Sequence, residues 1–283
     1  MIKQLLRKTG KLFFLAKAIK RAFIETFNSS KRPIFDGWYG LITYTQPPWE
    51  NLMPGISNVE SRFYEVDCNL REQMSNKSFI LLRDDMLKTI DLMDKLRWRN
   101  YIVFWSFVFA AKSTKSEIKN YVEAGVADGI SAFYAINAAE SYNYKYKAFF
   151  YDAWGAVQMS NPSTKGEEVG YEELDLEIIK NNLKTYTDNL VFIKGKIPDT
   201  FNGKNEPETI VWLSIDLNSA QPTIDTMEYY WDKIEVGGVV LLDDYGQPAY
   251  IDTKIAIDNW VSYHNDSLLL HLPTTQAIII KNN

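Results

Sequence analysis

The chain is poor in the residues that build the commonest metal and redox sites. Of its 283 residues one is a cysteine, Cys68, and two are histidines, His264 and His271. A single cysteine excludes an intramolecular disulfide and a cysteine-rich zinc site, and it fits a reducing cytoplasm. Two histidines are too few for a multi-histidine metal centre. The G-x-G-x-x-G fingerprint does not occur, so the phosphate-cradling turn of dinucleotide-binding enzymes is missing. Near the N-terminus the longest apolar run, Leu12-Phe13-Phe14-Leu15-Ala16, stops at Lys17. That is too short for the core of a signal peptide or for a membrane span.

Positive charge is scarce outside the first segment. Residues 1–33 hold nine Lys or Arg against one acid, Glu25, a balance of +8; the formal total is −5, so the remainder carries −5 − 8 = −13. An acidic body argues against nucleic acid as a substrate. Residues 2–27 read as a basic amphipathic helix, with Ile2, Leu5, Leu6, Phe13, Ala16, Ile19, Phe23 and Phe27 close to helical spacing. Such a stripe either packs on the body or on another subunit of a homo-oligomer, or lies on an anionic membrane surface. The location expected is the cytoplasm, with membrane association as the second reading.

Three segments follow. Residues 1–33 form the helix and its linker, and 34–96 an aromatic-rich cap and helical region that includes Trp38, Tyr39 and Trp49. Residues 97–283 then alternate strand and helix. Strands are expected at Tyr121–Ala124, Ala148–Tyr151, Leu190–Ile193, Thr209–Ile215 and Gly237–Asp243. Helices are expected near 79–112, 130–141, 171–183, 223–233 and 250–263. Two late strands, 268–271 and 276–280, are close enough to make a hairpin. This order predicts an α/β fold with a mostly parallel sheet and an antiparallel edge.

Two strands carry the chemistry. Trp212-Leu213-Ser214-Ile215 ends in Asp216, and Val239-Val240-Leu241-Leu242 ends in Asp243-Asp244. Apolar runs of this kind are strands buried on both faces, and ligands of open α/β sheets bind outside the carboxyl ends of such strands. Three acids gathered at one mouth repel one another unless a cation joins them. A hard, oxygen-liganded ion such as Mg²⁺ suits them. Upstream, Glu123-Ala124-Gly125-Val126-Ala127-Asp128-Gly129 passes from a strand end through two glycines into a helix, so the backbone can approach a ligand closely. Glu123 favours an amine-bearing ligand over a diphosphate. Asp152, at the next strand end, is placed to accept hydrogen bonds from a ribose. A plain strand–helix turn and a solvated strand-end acid are the rival explanations of these two features.

The order of E-x-G-x-x-x-G, Asp152, Lys194-Gly195-Lys196-Ile197-Pro198-Asp199-Thr200, Ser214-Ile215-Asp216-Leu217, Gly237-Gly238 and Asp243-Asp244-Tyr245-Gly246 resembles the macrocin O-methyltransferase family over roughly 97–281. The resemblance implies a Rossmann-like class I methyltransferase with a seven-stranded sheet. It also implies S-adenosylmethionine as cofactor, Mg²⁺ as metal, and a hydroxyl of a sugar, glycan or natural product as acceptor. By position, Glu123, Gly125, Gly129 and Ser131 would line the methionine end of the cofactor and Asp152 the ribose. Asp216, Asp243 and Asp244 would hold the metal, with Asp216 also the base; His264 and His271 are weaker candidates for the base. The chain departs from the family at Asn218, where a second acid is usual, and lacks the following Tyr-Glu pair. That departure motivates a rival reading, a decayed methyltransferase-like binding protein. A second rival, a nicotinamide-dependent oxidoreductase, rests only on the Tyr-x-x-x-Lys spacings Tyr229–Lys233 and Tyr250–Lys254.

Overall fold

A computed structural model describes residues 54–76, 79–80, 97–155 and 174–283. The basic helix expected over 2–27, the aromatic segment around Trp38–Trp49 and residues 81–96 of the helix expected near 79–112 lie outside them; residues 79–80 are not helical, and the helix is described from Arg97. In chain order the described elements begin with α1 (Pro54–Asn76), α2 (Arg97–Ser113), β1 (Ile118–Ala124), α3 (Ile130–Ser141), β2 (Lys145–Asp152) and α4 (Leu176–Asn182). They continue with β3 (Leu190–Lys194), β4 (Ile210–Ile215), α5 (Ala220–Trp231), β5 (Ile234–Leu242), α6 (Ile251–Tyr263), β6 (Ser267–His271) and β7 (Ala277–Lys281).

The seven strands form one sheet in the order β3-β2-β1-β4-β5-β7-β6. Strands β1 to β5 pair in parallel. Strand β7 runs antiparallel to β5 and to β6. The expected hairpin is therefore present, but only β7 opposes the sheet, because β6 lies beyond it and points the same way as β1–β5. The order reverses between β1 and β4, and this switch point opens a crevice at the carboxyl ends of the strands.

The burial of β4, complete from Ile210 to Ile215, is what a strand covered on both faces requires. Alternate residues feed two cores. Tyr121, Phe150, Trp212, Val239 and Leu241 pack on one face with Phe107 of α2 and Phe133 of α3. Val122, Tyr151, Leu213, Val240 and Leu242 pack on the other with Met227 and Tyr230 of α5 and Ile257 and Trp260 of α6. Fully burying one such side chain contributes about 1.5–3 kcal/mol. Trp212 keeps its indole N–H satisfied inside the core by donating to Ser106 Oγ of α2 at 3.0 Å. Among the described residues no helix is long and apolar enough to cross a membrane.

Helix α1 is joined to the sheet layer by charge. Asp67, fully buried, accepts from Arg97 Nε at 2.9 Å and faces Arg71 Nε at 3.0 Å; the Tyr134 hydroxyl of α3 donates to its other oxygen. Removing one partner from a buried ionic group leaves the rest uncompensated. Asp67→Ala is thus expected to lower unfolding free energy in urea by ~3–5 kcal/mol; a loss below about 1 kcal/mol would show that the docking of α1 does not depend on this pair.

Candidate active site

The site is built from the first turns after β1, β4 and β5. β1 ends at Ala124, and Gly125 follows at φ +85°, the left-handed region that glycine enters without penalty. Its amide donates to Tyr151 O at 2.8 Å, while Ala124 O accepts from Asp216 N at 2.8 Å. A side chain on Gly125 would collide with the Asp216 backbone: an added Cβ falls 2.7 Å from the Asp216 carbonyl carbon. The glycine turn and the β4 acid therefore lie backbone to backbone. Gly129, at φ +90°, stands at the N-cap of α3 and accepts from Phe133 N at 2.9 Å. Ser131 lies in the first turn of α3 and is half-buried, and Glu123 is buried at the end of β1.

Asp152 takes a role the sequence did not suggest. Its Oδ2 accepts from Val126 N and Ala127 N, both at 2.8 Å, and Oδ1 accepts from Trp154 N at 2.7 Å. Trp154 completes the brace by donating from Nε1 to Ala127 O at 3.1 Å. A carboxylate has about four acceptor positions, so two are committed to the Val126–Ala127 turn, one to Trp154 in its own loop, and one is left.

The three acids do converge. Asp216, Asp243 and Asp244 each offer an oxygen, and these atoms lie within 4.8 Å of one another. Each of the three is half-buried, and they border a cleft shared with Leu217, Asn218, Thr223, Tyr245 and Ile257. Asn218 sits at φ +50°, which asparagine tolerates better than most residues. Burial, the Asp216 and Asp243 charges and a hydrogen bond to Asp216 push the Asp244 carboxyl well above the usual carboxylate range.

A cation already lies among them, and sequence reasoning missed it. Arg99, in the first turn of α2, is buried and contacts a carboxylate oxygen of Asp243; its other Asp243 bond is to the carbonyl oxygen at 3.1 Å. The same guanidinium donates to Thr274 O at 2.9 Å and Thr275 Oγ1 at 2.8 Å, and lies 3.8 Å from Asp244 Oδ1. Burial lowers the Arg99 pKa, but the Asp243, Asp244 and Asp216 charges outweigh it and hold the group cationic. Gln276 Nε2 donates to the second oxygen of Asp243 at 2.9 Å, and Thr274 Oγ1 fixes the Gln276 amide at 2.9 Å. The only sequence signal for Arg99 is its place in Arg97-Trp98-Arg99, at the start of an apolar helix.

Neither histidine belongs to the group of acids. His264 stacks on Trp260 at 3.6 Å and shares a hydrogen bond with Trp260 O at 2.8 Å. His271 packs edge-on against Tyr245 at 5.1 Å, and burial lowers its pKa. The contacts of both are with packed aromatic rings and backbone. The Tyr-x-x-x-Lys spacings are also absorbed by packing. Tyr229 stacks on Phe201 at 4.5 Å with Lys233 over its ring at 3.9 Å, and Lys254 turns to Tyr245 at 3.0 Å and to Asp258.

Residues 122–245 match the Methyltransf_24 family, described as a methyltransferase domain. The matched span takes in Glu123, the glycine turn, Asp152 and all three acids. Among solved structures the chain is similar to the O-methyltransferase NovP, with TM-score 0.55 and 17% identity over 65% of this chain and 80% of that one. It is also similar to the calicheamicin methyltransferase CalS11, with TM-score 0.49 and 15% identity over 75% and 91% of the two chains. A putative O-methyltransferase from Klebsiella pneumoniae gives TM-score 0.49 and 9% identity over 85% and 100%. No curated protein matches the chain. The fold is that of NovP, a class I methyltransferase fold, and residues 122–245 within it match a methyltransferase domain. The match is to the broad domain and not to the narrower macrocin group.

Proposed function

We propose that the chain is an S-adenosylmethionine-dependent O-methyltransferase of the macrocin type, acting with a divalent ion such as Mg²⁺ on a hydroxyl of a sugar or sugar-like acceptor. One observation carries this reading: the acid cluster shares its backbone with the glycine turn, through Asp216 N–Ala124 O at 2.8 Å and the close approach of Gly125. An acceptor held by the acids would then stand beside the methionine end of a cofactor on the turn. The sugar acceptor rests on the motif resemblance.

The donor set fits a dication. With all three acids ionised, as a bound cation requires, they and Arg99 sum to −3 + 1 = −2, and oxygen atoms gathered within 4.8 Å can reach one hard ion. Bound there, Mg²⁺ would lower the pKa of an acceptor hydroxyl and fix its position. The residues do the remainder. Glu123 and the turn at Gly125 orient the donor, Asp152 keeps that turn in shape, and Asp216 accepts the hydroxyl proton. The new oxygen–carbon bond forms in line as the carbon–sulfur bond breaks, and the sulfonium charge is lost with it.

The decayed-site reading draws on Arg99, which offsets one acid charge without any metal, and on Asn218. Calorimetric titration of Mg²⁺ in the presence of S-adenosylhomocysteine separates the two. Saturable binding is expected, and its absence would leave the decayed site. The cofactor has its own test. At ~100 times its Kd, S-adenosylhomocysteine should stabilise the fold by about 2.7 kcal/mol, seen as a raised Tm. NAD at the same concentration should leave Tm unchanged, and the reverse pattern would overturn the cofactor assignment.

A further inference from the structure

We infer that Arg99 is a positioning residue that sets the charge of the acid cluster and so the strength with which it holds a divalent ion. This deepens the metal-dependent reading above and rests on it. Arg99 is reached from a distant part of the chain: α2 brings it to the ends of β5 and β7, where it contacts Asp243 twice, Thr274 O, Thr275 Oγ1 and, at 3.8 Å, Asp244. No exposed surface position is involved, since Arg99 is 9% exposed.

Two features make this more than an ion pair. The guanidinium cannot lose its proton, so its charge is a fixed part of the site. Its fork is also fixed, by the Thr274 carbonyl and Thr275 hydroxyl on one nitrogen and by Asp243 on the other. Gln276 closes the arrangement from the other oxygen of Asp243, at 2.9 Å. Without Arg99 the fully ionised cluster, the state a bound dication imposes, would carry −3 and would over-bind that dication. With it the loaded site is neutral, −3 + 1 + 2 = 0, and the ion can exchange. Arg97, two residues earlier, pairs with Asp67 of α1. The first turn of α2 is therefore held at both ends by charge, and this keeps Arg99 from retracting.

The experiment measures Mn²⁺ affinity by calorimetry or spin-probe titration, with S-adenosylhomocysteine bound and no acceptor. The proteins are the wild type and Arg99→Lys, Arg99→Gln and Arg99→Met. If affinity follows charge, Arg99→Lys stays within about threefold of wild type, while Arg99→Gln and Arg99→Met bind Mn²⁺ at least about tenfold more tightly. Arg99→Gln keeps a donor for the Thr274 and Asp243 carbonyls, so it serves if Arg99→Met does not fold. Affinity unchanged across the series, weakened in the neutral variants, or equal in Lys and Met would each overturn the inference. A wild type that binds no Mn²⁺ would instead remove the metal-dependent reading itself. Retained S-adenosylhomocysteine affinity in every variant shows that the cofactor half of the site is intact.

Discussion

Asp216→Asn is expected to lower kcat by about 10²–10⁴-fold while leaving S-adenosylhomocysteine affinity within about threefold. The substitution keeps the size of the side chain and removes its ability to take a proton. Asp216 is the cleanest of the three acids to test. Asp243 is tied to Arg99 and Gln276, so changing it also disturbs a buried ion pair and would confuse activity with folding. Asp244 has its carboxyl pushed upward by burial and by its neighbours, which suits a proton holder better than a base that must start ionised. Asp216 alone combines a position on the cleft with a backbone bonded to the glycine turn. Steady-state kinetics with an acceptor that the wild type methylates, set beside cofactor calorimetry, decides the matter. A variant that keeps more than a tenth of wild-type kcat would remove Asp216 from the base role. Equal loss of cofactor binding would show that the substitution had damaged the turn instead.

Much of this was readable because the relevant signals are local. A run such as Val239–Leu242 can be buried only in the middle of a sheet, and an acid placed at its end must emerge at the carboxyl edge. The strands at Ile210–Ile215 and Leu190–Lys194 and the helix Ile130–Ser141 therefore fall within a residue of expectation. Strand β5 begins three residues before Gly237, because an apolar residue, Ile234, pairs with Ile210 before the irregularity in the ladder. Helix α5 begins at Ala220, ahead of Thr223, since Pro222 is tolerated in a first helical turn.

What the sequence hid is long-range. Arg99 and Asp243 are separated by 144 residues, and nothing in Arg97-Trp98-Arg99 says which carboxylate each arginine will meet. One went to α1 and the other to β5. Asp152 was read by its position at a strand end, where a ligand hydroxyl and a neighbouring loop amide make the same demand on a carboxylate. The fold gives most of that capacity to the loop. The direction of β6 was hidden for a similar reason: a hairpin fixes the orientation of its two strands to each other, but not which of them joins the sheet.

Gly125→Ala should be as damaging as the loss of the base, and it should act on both halves of the site at once. Two costs add. Alanine at φ +85° is strained by about 1–3 kcal/mol. Its Cβ would also lie 2.7 Å from the Asp216 carbonyl carbon, and that neighbour is main chain, held in turn by Asp216 N to Ala124 O. The contact cannot be relieved by a rotamer change; either β1 and β4 part at their ends or the turn rearranges. Loss of at least about 3 kcal/mol of stability is expected, with cofactor affinity down at least about tenfold and kcat/KM down more than about a hundredfold. Gly203→Ala supplies the control. It has a similar φ of +74°, but an added Cβ meets nothing within 4 Å, so it bears the strain without the collision and should lose about 1 kcal/mol with cofactor affinity unchanged. Urea unfolding and cofactor calorimetry on the two variants separate strain from steric contact. If both behave alike, the close approach of the β1 turn to Asp216 is not what couples donor binding to the acid cluster.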